Sequence, residues 1–403
     1  MRLKVFALEG GLLRTSLRLE YFWGALRRNP WAAFAGLGSG QSPEGVGLRA
    51  DLLPLNEDVM AEIVALKASG GRVALSTAGH PEVAQALAEA HGLELSGAKG
   101  ETRAQIWHAR ALLKAIRPHQ WVKNILLLVP LLAAHRFDSA SLMLALLGMV
   151  AFSTAASSIY VVNDLVDLEA DRLHPEKCKR PFASGAVPLG VGMLAALVLL
   201  SVALGVGAYL GLSFLAITLL YVFVSTAYSL RLKRMRWVDI FLLASLYSLR
   251  VVAGAAAAGV AVSAALLFFI FPVFLTLGAV KRLTELTLAK ADERLPGRGY
   301  GRADRGKLLN FAVVSMIAAL VIFFVYSQSA QAMALYPDRW FLWLAILPLA
   351  AWLFRMVRLG YYGKQDYDPI VFALSDKRGI GLILITLSLM FYAAGLWAEW
   401  FGF

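Results

Sequence analysis

VVNDLVDLEADRLHPEKCKRPFASG, residues 161–185, lies between two long apolar runs and crowds carboxylates and cations into one connection. Asp164, Asp167 and Asp171 recur at i, i+3 and i+7, the spacing of one face of an α-helix, while Glu169 falls off that face. Carboxylates crowded at a membrane surface repel one another unless a cation joins them. A hard divalent ion such as Mg²⁺, which takes oxygen ligands from one or two carboxylates and from phosphates, is the economical partner, bridging to a diphosphate. Asn163 adds an amide, and Lys177, Lys179 and Arg180 supply positive charge for phosphate oxygens that a metal does not reach. A solvated loop obeying the usual charge bias would explain the cations. It would not explain acidic residues aligned on one face at the end of an apolar helix.

Outward from this loop, the chain of 403 residues is 59% hydrophobic and only 16% charged, with a mean hydropathy of +0.64. That excludes an ordinary soluble enzyme and predicts a polytopic membrane protein. Crossing about 30 Å of hydrocarbon takes about 20 apolar residues, and stretches near 123–135, 140–162, 187–210, 212–230, 238–259, 264–280, 308–328, 340–357 and 379–400 meet or approach that length. With a cytoplasmic amino terminus, the connections on the cytoplasmic side hold nearly all the Lys and Arg of this region, against Arg136 and Arg339 outside. The net charge of +12 reflects that bias, and no nucleic-acid partner is expected. A single cysteine, Cys178, excludes an internal disulfide. Residues 1–30 are basic and amphipathic, so no signal peptide is expected there.

Residues 1–115 differ in character and carry no spanning run. LKVFAL reads as a strand, PLNEDVMAEIVALKASGG as an amphipathic helix, RVALST as a second strand and HPEVAQALAEAHGL as another helix, which predicts a small α/β unit with a parallel sheet. GLGSGQSPEGVG reads as a linker. The segment resembles the start of a haloacid dehalogenase-like (HAD) phosphatase domain. Ala7 stands at the nucleophile position, Glu9 at the acid/base position, and Ser76 or Thr77 in the second motif. Without a carboxylate at residue 7 no aspartyl-phosphate can form. The resemblance therefore implies a truncated, catalytically dead remnant with a stabilising or regulatory role.

NDLVDLEADRLHPEKCKRPFASG resembles the first Asp-rich motif, N-D-x-x-D-x-x-x-D, of the UbiA superfamily of intramembrane prenyltransferases, over residues 116–403. The resemblance implies a nine-helix membrane bundle with a polar site facing the cytoplasm, preceded by the α/β segment. RPHQWVKN at 117–124 gathers Arg117, His119, Gln120, Lys123 and Asn124 around Trp121. That cluster suits an anionic headgroup or, more blandly, an interfacial belt, and it resembles the decaprenyl-phosphate phosphoribosyltransferase branch. In GAVKRLTEL, Lys281, Arg282 and Glu285 stand where the superfamily carries its second Asp-rich motif. Cations there suit phosphate directly, and a Lys281–Glu285 salt bridge at i,i+4 is the bland alternative. In YSLRLKRMRWVDIFLLASLYSLRVVAGAAA, Tyr228, Lys233 and Asp239 flank a turn and Arg250 falls within a span. A charge there costs about 2.5–3.5 kcal/mol to insert and marks a functional candidate.

That branch implies Mg²⁺-dependent transfer of 5-phosphoribose from 5-phosphoribosyl 1-diphosphate to a polyprenyl phosphate. Asp164, Asp167 and Asp171 would hold the metal. Lys177, Arg180, Lys281 and Arg282 would hold phosphates, and Lys123 would meet the lipid headgroup. The alternative is a UbiA-type prenyltransferase moving an isoprenyl chain onto a small acceptor, against which the missing second Asp-rich motif counts. A transporter would need charges towards both faces, and the outer connections are nearly uncharged. The resemblance implies an inner-membrane, multi-pass protein with its amino terminus and site cytoplasmic, and a homo-oligomer is left open. Cys178 interrupts the basic run, 291–302 matches the branch loosely at Arg298 and Tyr300, and Asp376 in DYDPIVFALSDKRGI is either a polar contributor or a helix cap.

Overall fold

The computed structural model describes residues 3–26, 29–39, 47–76, 80–289, 299–365 and 368–402. Thr77, Arg298 and most of the stretches 36–47 and 291–302 lie outside the described residues. The chain divides into two compact units, Met1–Pro118 with Thr154–Val202 and His119–Ser153 with Ala203–Phe403, and the helix Ser139–Val166 contributes to both.

In the first unit, β1 (Leu3–Phe6), β2 (Arg72–Ser76) and β3 (Glu94–Ser96) form a parallel sheet with β2 in the middle. Val5 stands opposite Ala74, and Leu75 opposite Leu95. Central β2 is buried along nearly its whole length, as its unbroken apolar run requires. The helix Glu57–Ala68 starts where the Asn56 side chain accepts the Asp58 N–H, and Pro81 opens the helix Pro81–His91, closed by left-handed Gly92. The sheet is parallel as the alternation predicts. β3 escapes sequence reading because it is three residues long and largely exposed. Although composition changes near residue 115, packing does not follow that change. Phe22, Trp23, Ala33 and Ala115 share a core with Val161, Leu165, Phe182 and Leu189.

Among the described residues seven helices are long and apolar enough to cross a membrane: Ser139–Val166, Leu189–Leu210, Leu212–Leu230, Val238–Ala258, Ala264–Leu288, Arg302–Ser327 and Arg339–Tyr361. The first and last of the nine expected spans fall short. Residues 123–133 belong to the end of a 3-10 helix, Pro118–Leu128, and to a short α-helix, Val129–Ala133, with Pro130 supplying no N–H near their junction. The last stretch is split by left-handed Gly395 into Lys377–Ala393 and Leu396–Phe401. In the second unit the 3-10 stretch lies directly on the 238–258 helix, since a Cβ added at Gly254 would come within 1.9 Å of the Leu127 carbonyl oxygen. A core including Tyr247, Phe274, Leu353 and Met356 surrounds the 264–288 helix. Beside it lies an apolar cavity of about 470 Å³, lined by Phe269, Phe274, Trp352 and Ile383 among others.

Candidate active site

The Asp-rich motif lies where the 139–166 helix ends. Asp167 leaves helical geometry, with φ −96° and ψ 15°, before the short helix Leu168–Arg172. Helical hydrogen bonding nevertheless runs through the kink, with the Asp167 N–H donating to the Asn163 carbonyl at 3.0 Å and the Asp171 N–H to the Asp167 carbonyl at 2.8 Å. Asp164 and Asp171 are therefore brought together. Both are buried, at 2% and 3% exposed, and Arg180 Nη1 donates to Asp164 Oδ1 at 3.0 Å and to Asp171 Oδ2 at 2.7 Å. Arg117 Nη2 donates to Asp164 Oδ1 at 2.5 Å and its guanidinium covers the Tyr160 ring. The left-handed backbone of Arg117, just before Pro118, aims it there, and Ser157 Oγ donates to the Ile116 carbonyl alongside. Burial raises the Asp171 carboxyl above its ordinary value, and the Arg180 guanidinium opposes that rise without cancelling it.

Two of the three expected carboxylates thus point at one cationic atom, and an oxygen-liganded divalent ion fits that donor pair. Among the described residues no group of three or more His, Cys, Asp or Glu side chains is gathered for a metal, so Asp167 is not assembled with the other two. Asn163 is half-buried beside them and Glu169 is exposed. Of the expected cations in this loop, Arg180 joins the carboxylates. Lys177 is exposed, and Lys179 faces the exposed Glu176 at 3.3 Å.

Three buried polar networks stand out among the described residues of the second unit. Arg282, fully buried, is enclosed by Asp239, Glu285 and the Tyr228 hydroxyl: Nη2 donates to Asp239 Oδ1 and to Tyr228 Oη at 3.0 Å each, Nη1 to Glu285 Oε2 at 2.5 Å, and Nε to Asp239 Oδ2. The Tyr228 hydroxyl donates to Asp239 Oδ1 at 2.9 Å. Glu285 pairs with Arg282 at i,i+3, and Lys281, for which a bridge to Glu285 is the bland alternative, turns to Asp368. In the second network Asp368 lies 2.5 Å from Lys123 Nζ and 3.5 Å from Lys281 Nζ while capping the helix Pro369–Ala373. Burial alone would raise the Asp368 carboxyl, but the Lys281 and Lys123 ammoniums outweigh it and hold the group well below the usual carboxylate range.

In the third, Arg250 turns inward, donating to Asn124 Oδ1 at 3.0 Å, the Leu246 carbonyl at 2.7 Å and Tyr221 Oη at 2.9 Å. Asn124 Nδ2 in turn donates to Ser153 Oγ at 2.8 Å. Arg250 is thus satisfied inside its span, which is how a membrane helix tolerates it. Gln120 and Lys233 are half-buried, on the 118–128 stretch and on the 3-10 turn Leu232–Arg234. Tyr300 is fully buried and accepts the Trp237 N–H at 2.8 Å; burial pushes its phenol up to about 12. Asp376 caps the 377–393 helix and forms a two-point pair with Arg355, so the capping role expected as one of two is present. Sequence reading missed Asp368 as a site residue. Its signal was local, an Asp-Pro pair placing Asp at a helix N-cap.

Comparison with known proteins places these features. The profile of the UbiA prenyltransferase family matches residues 125–378. The uncharacterized protein y4nM of Sinorhizobium fredii is 34% identical over 69% of this chain, which spans 55% of that protein. The nodulation protein NoeC of Azorhizobium caulinodans is 35% identical over 69% of this chain and 92% of its own length. The decaprenyl-phosphate phosphoribosyltransferase of Mycobacterium tuberculosis is 35% identical over 57% of this chain and 73% of its own. A solved structure of a UbiA homologue from Archaeoglobus fulgidus, bound to GPP and Mg²⁺, superposes with a TM-score of 0.52 at 16% identity, covering 70% of this chain and 99% of that one, which shows a common fold. The all-helical membrane part, its apolar spans and this match agree: the chain belongs to the UbiA prenyltransferase family and is a multi-pass membrane transferase.

Proposed function

We propose that the chain transfers 5-phosphoribose from 5-phosphoribosyl 1-diphosphate to a polyprenyl phosphate, releasing diphosphate, with Mg²⁺ as the metal. The observation that carries this reading is the Lys123–Asp368–Lys281 triad, in which two largely buried ammoniums share one carboxylate. It leaves an excess positive charge at the position where the superfamily's second Asp-rich motif would bring carboxylates and another metal. Positive charge there suits a phosphate group directly, as a reaction with two phosphorylated substrates requires. The activity for which the mycobacterial relative is named supports the same reading.

Asp164 and Asp171, with Asn163 next to Asp164 in the chain, would hold Mg²⁺, which when bound neutralises charge on a departing diphosphate, and Asp167 would have to turn toward them to add a ligand. The Mg²⁺ in the Archaeoglobus structure supports divalent-metal use. Arg117 and Arg180 neutralise the carboxylates and orient them. Lys281 and Lys177 would bind phosphate oxygens and Lys123 the lipid phosphate, which is already anionic and needs no strong base. Arg282, enclosed by Asp239 and Glu285, positions its helical turn rather than reaching for a substrate. The 470 Å³ apolar cavity would take part of the polyprenyl tail. The charge bias of the loops supports a cytoplasmic site and amino terminus in the inner membrane, with residues 1–115 a degenerate HAD-like segment attached to a transferase of 116–403.

The test uses the purified chain in detergent with Mg²⁺, polyprenyl phosphate and radiolabelled phosphoribosyl diphosphate. Label extracted into organic solvent, and lost on chelation or in Asp164→Ala, is the expected result. Turnover of an isoprenyl diphosphate without phosphoribosyl transfer would overturn the reading in favour of a prenyltransferase.

A further inference from the structure

The amino-terminal segment is tied to the Asp-rich loop at several points, all within the first unit. Glu20, on the helix Leu17–Leu26, is 3% exposed and forms a two-point pair with Arg172, Oε1 with Nη2 at 2.6 Å and Oε2 with Nη1 at 3.0 Å. Thr15 Oγ1 donates to the same carboxylate at 2.7 Å. Arg172 immediately follows Asp171, and its Nε donates to the Ala183 carbonyl at 3.0 Å, so one guanidinium fastens both ends of the 172–183 loop to Glu20. A second tie lies just beyond. Gln105 Nε2 donates to the Arg14 carbonyl at 2.9 Å and to the Gly185 carbonyl at 2.7 Å. Gly185 is left-handed, and a Cβ there would lie 2.9 Å from Arg14 Cβ. Glu9, whose position the HAD resemblance gives to an acid/base, accepts the Leu17 N–H at the start of the helix that carries Glu20.

We propose that Glu20 and Arg172 are positioning residues: the amino-terminal segment is a bracket that fixes the loop presenting Asp171 and Arg180. The proposal rests on reading that loop as the active site. A buried, two-point carboxylate–guanidinium pair has a defined geometry, and losing one partner leaves the other charge uncompensated. The loop carries both the carboxylate that would meet a metal and the arginine that neutralises it. Slack in the bracket therefore reaches the site as disorder, without removing any group that touches substrate. This gives the dead remnant a purpose that needs none of its lost chemistry.

The test is hydrogen exchange on the full chain in detergent, comparing wild type with Glu20→Gln and Arg172→Lys, alongside the Mg²⁺ concentration for half-maximal transfer. Exchange across 172–185 is expected to quicken about tenfold in Glu20→Gln while the 139–160 helix stays protected. Half-saturating Mg²⁺ should rise about tenfold, with KM for polyprenyl phosphate unchanged. Arg172→Lys, which keeps the charge but loses the fork, should fall between the two, and it decides by the same criteria where Glu20→Gln does not fold. Wild-type exchange and Mg²⁺ dependence in both variants would overturn the proposal. If wild type transfers no phosphoribose, the functional reading fails by itself, and loop exchange still decides whether the bracket exists.

Discussion

Replacing Asp368 by Asn would keep the helix cap, because an amide oxygen can accept the Ile370 and Val371 N–H groups as the carboxylate does. It would remove the carboxylate that bridges Lys123 and Lys281, whose side chains are 10% and 17% exposed. Breaking a buried pair by deleting one partner costs about 3–5 kcal/mol, most of it the penalty of the charges left behind. At about 2 °C per kcal/mol for a large chain, the melting temperature should fall by about 6–10 °C. An anion should recover part of that loss. Inorganic phosphate at about a hundred times its Kd returns about 2.7 kcal/mol to the variant. The wild type, with its own carboxylate in place, should respond less. The assay is a thermal melt in detergent with and without phosphate, at fixed ionic strength. A variant melting with the wild type, or one indifferent to phosphate, would refute both the buried triad and its anion-binding character. The lysines hold the Asp368 carboxyl below its unfolded value near 3.9, so its contribution is complete above about pH 4 and is lost as pH falls through the folded pKa. The melting difference between variant and wild type should therefore be full at about pH 5 to 6 and shrink as pH rises toward about 8, where burial has brought the Lys123 ammonium and its deprotonation relieves the charge left behind.

Other substitutions test the remaining networks. Gly254→Ala places a methyl 1.9 Å from the Leu127 carbonyl oxygen and should cost about 3 kcal/mol or more, read as a lower melting temperature and lower yield of monodisperse protein. Arg282→Ala removes the buried cation that Asp239 and Glu285 share and should destabilise by about 3–5 kcal/mol; a melt unchanged from wild type would mean that the network carries no stability. Arg180→Gln removes the cation between Asp164 and Asp171, so Mg²⁺ should raise the variant's melting temperature more than the wild type's, and EDTA should abolish that difference.

Much of the membrane part is legible because its signals are contiguous. A run of apolar residues long enough to cross hydrocarbon needs no partner to be recognised, and seven such helices stand close to where the runs predict. The two that fall short of that length do so for a local reason: hydropathy averages over Pro130 and Gly395, whereas backbone geometry does not. The Asp-rich motif is equally visible, since three acidic residues on one helical face are an event within eight positions of sequence. Its charge compensation is less so. Arg180 was expected to meet a substrate and instead neutralises Asp164 and Asp171, while Arg117 reaches Asp164 from 47 positions away.

By itself the sequence determined that this is a membrane protein, that its carboxylates cluster at the end of one apolar helix, and that cations replace acids near residue 281. Burial, periodicity and charge bias act over neighbouring residues, so composition and spacing carry them. Only tertiary structure decided which charges meet. Asp368 lies 87 positions from Lys281, Glu20 lies 152 from Arg172, and Asp239 lies 43 from Arg282. Whether an arginine is a ligand for substrate or a strut inside the protein depends on which carboxylate folding brings to it, because a buried guanidinium must be matched by partners that no local pattern specifies.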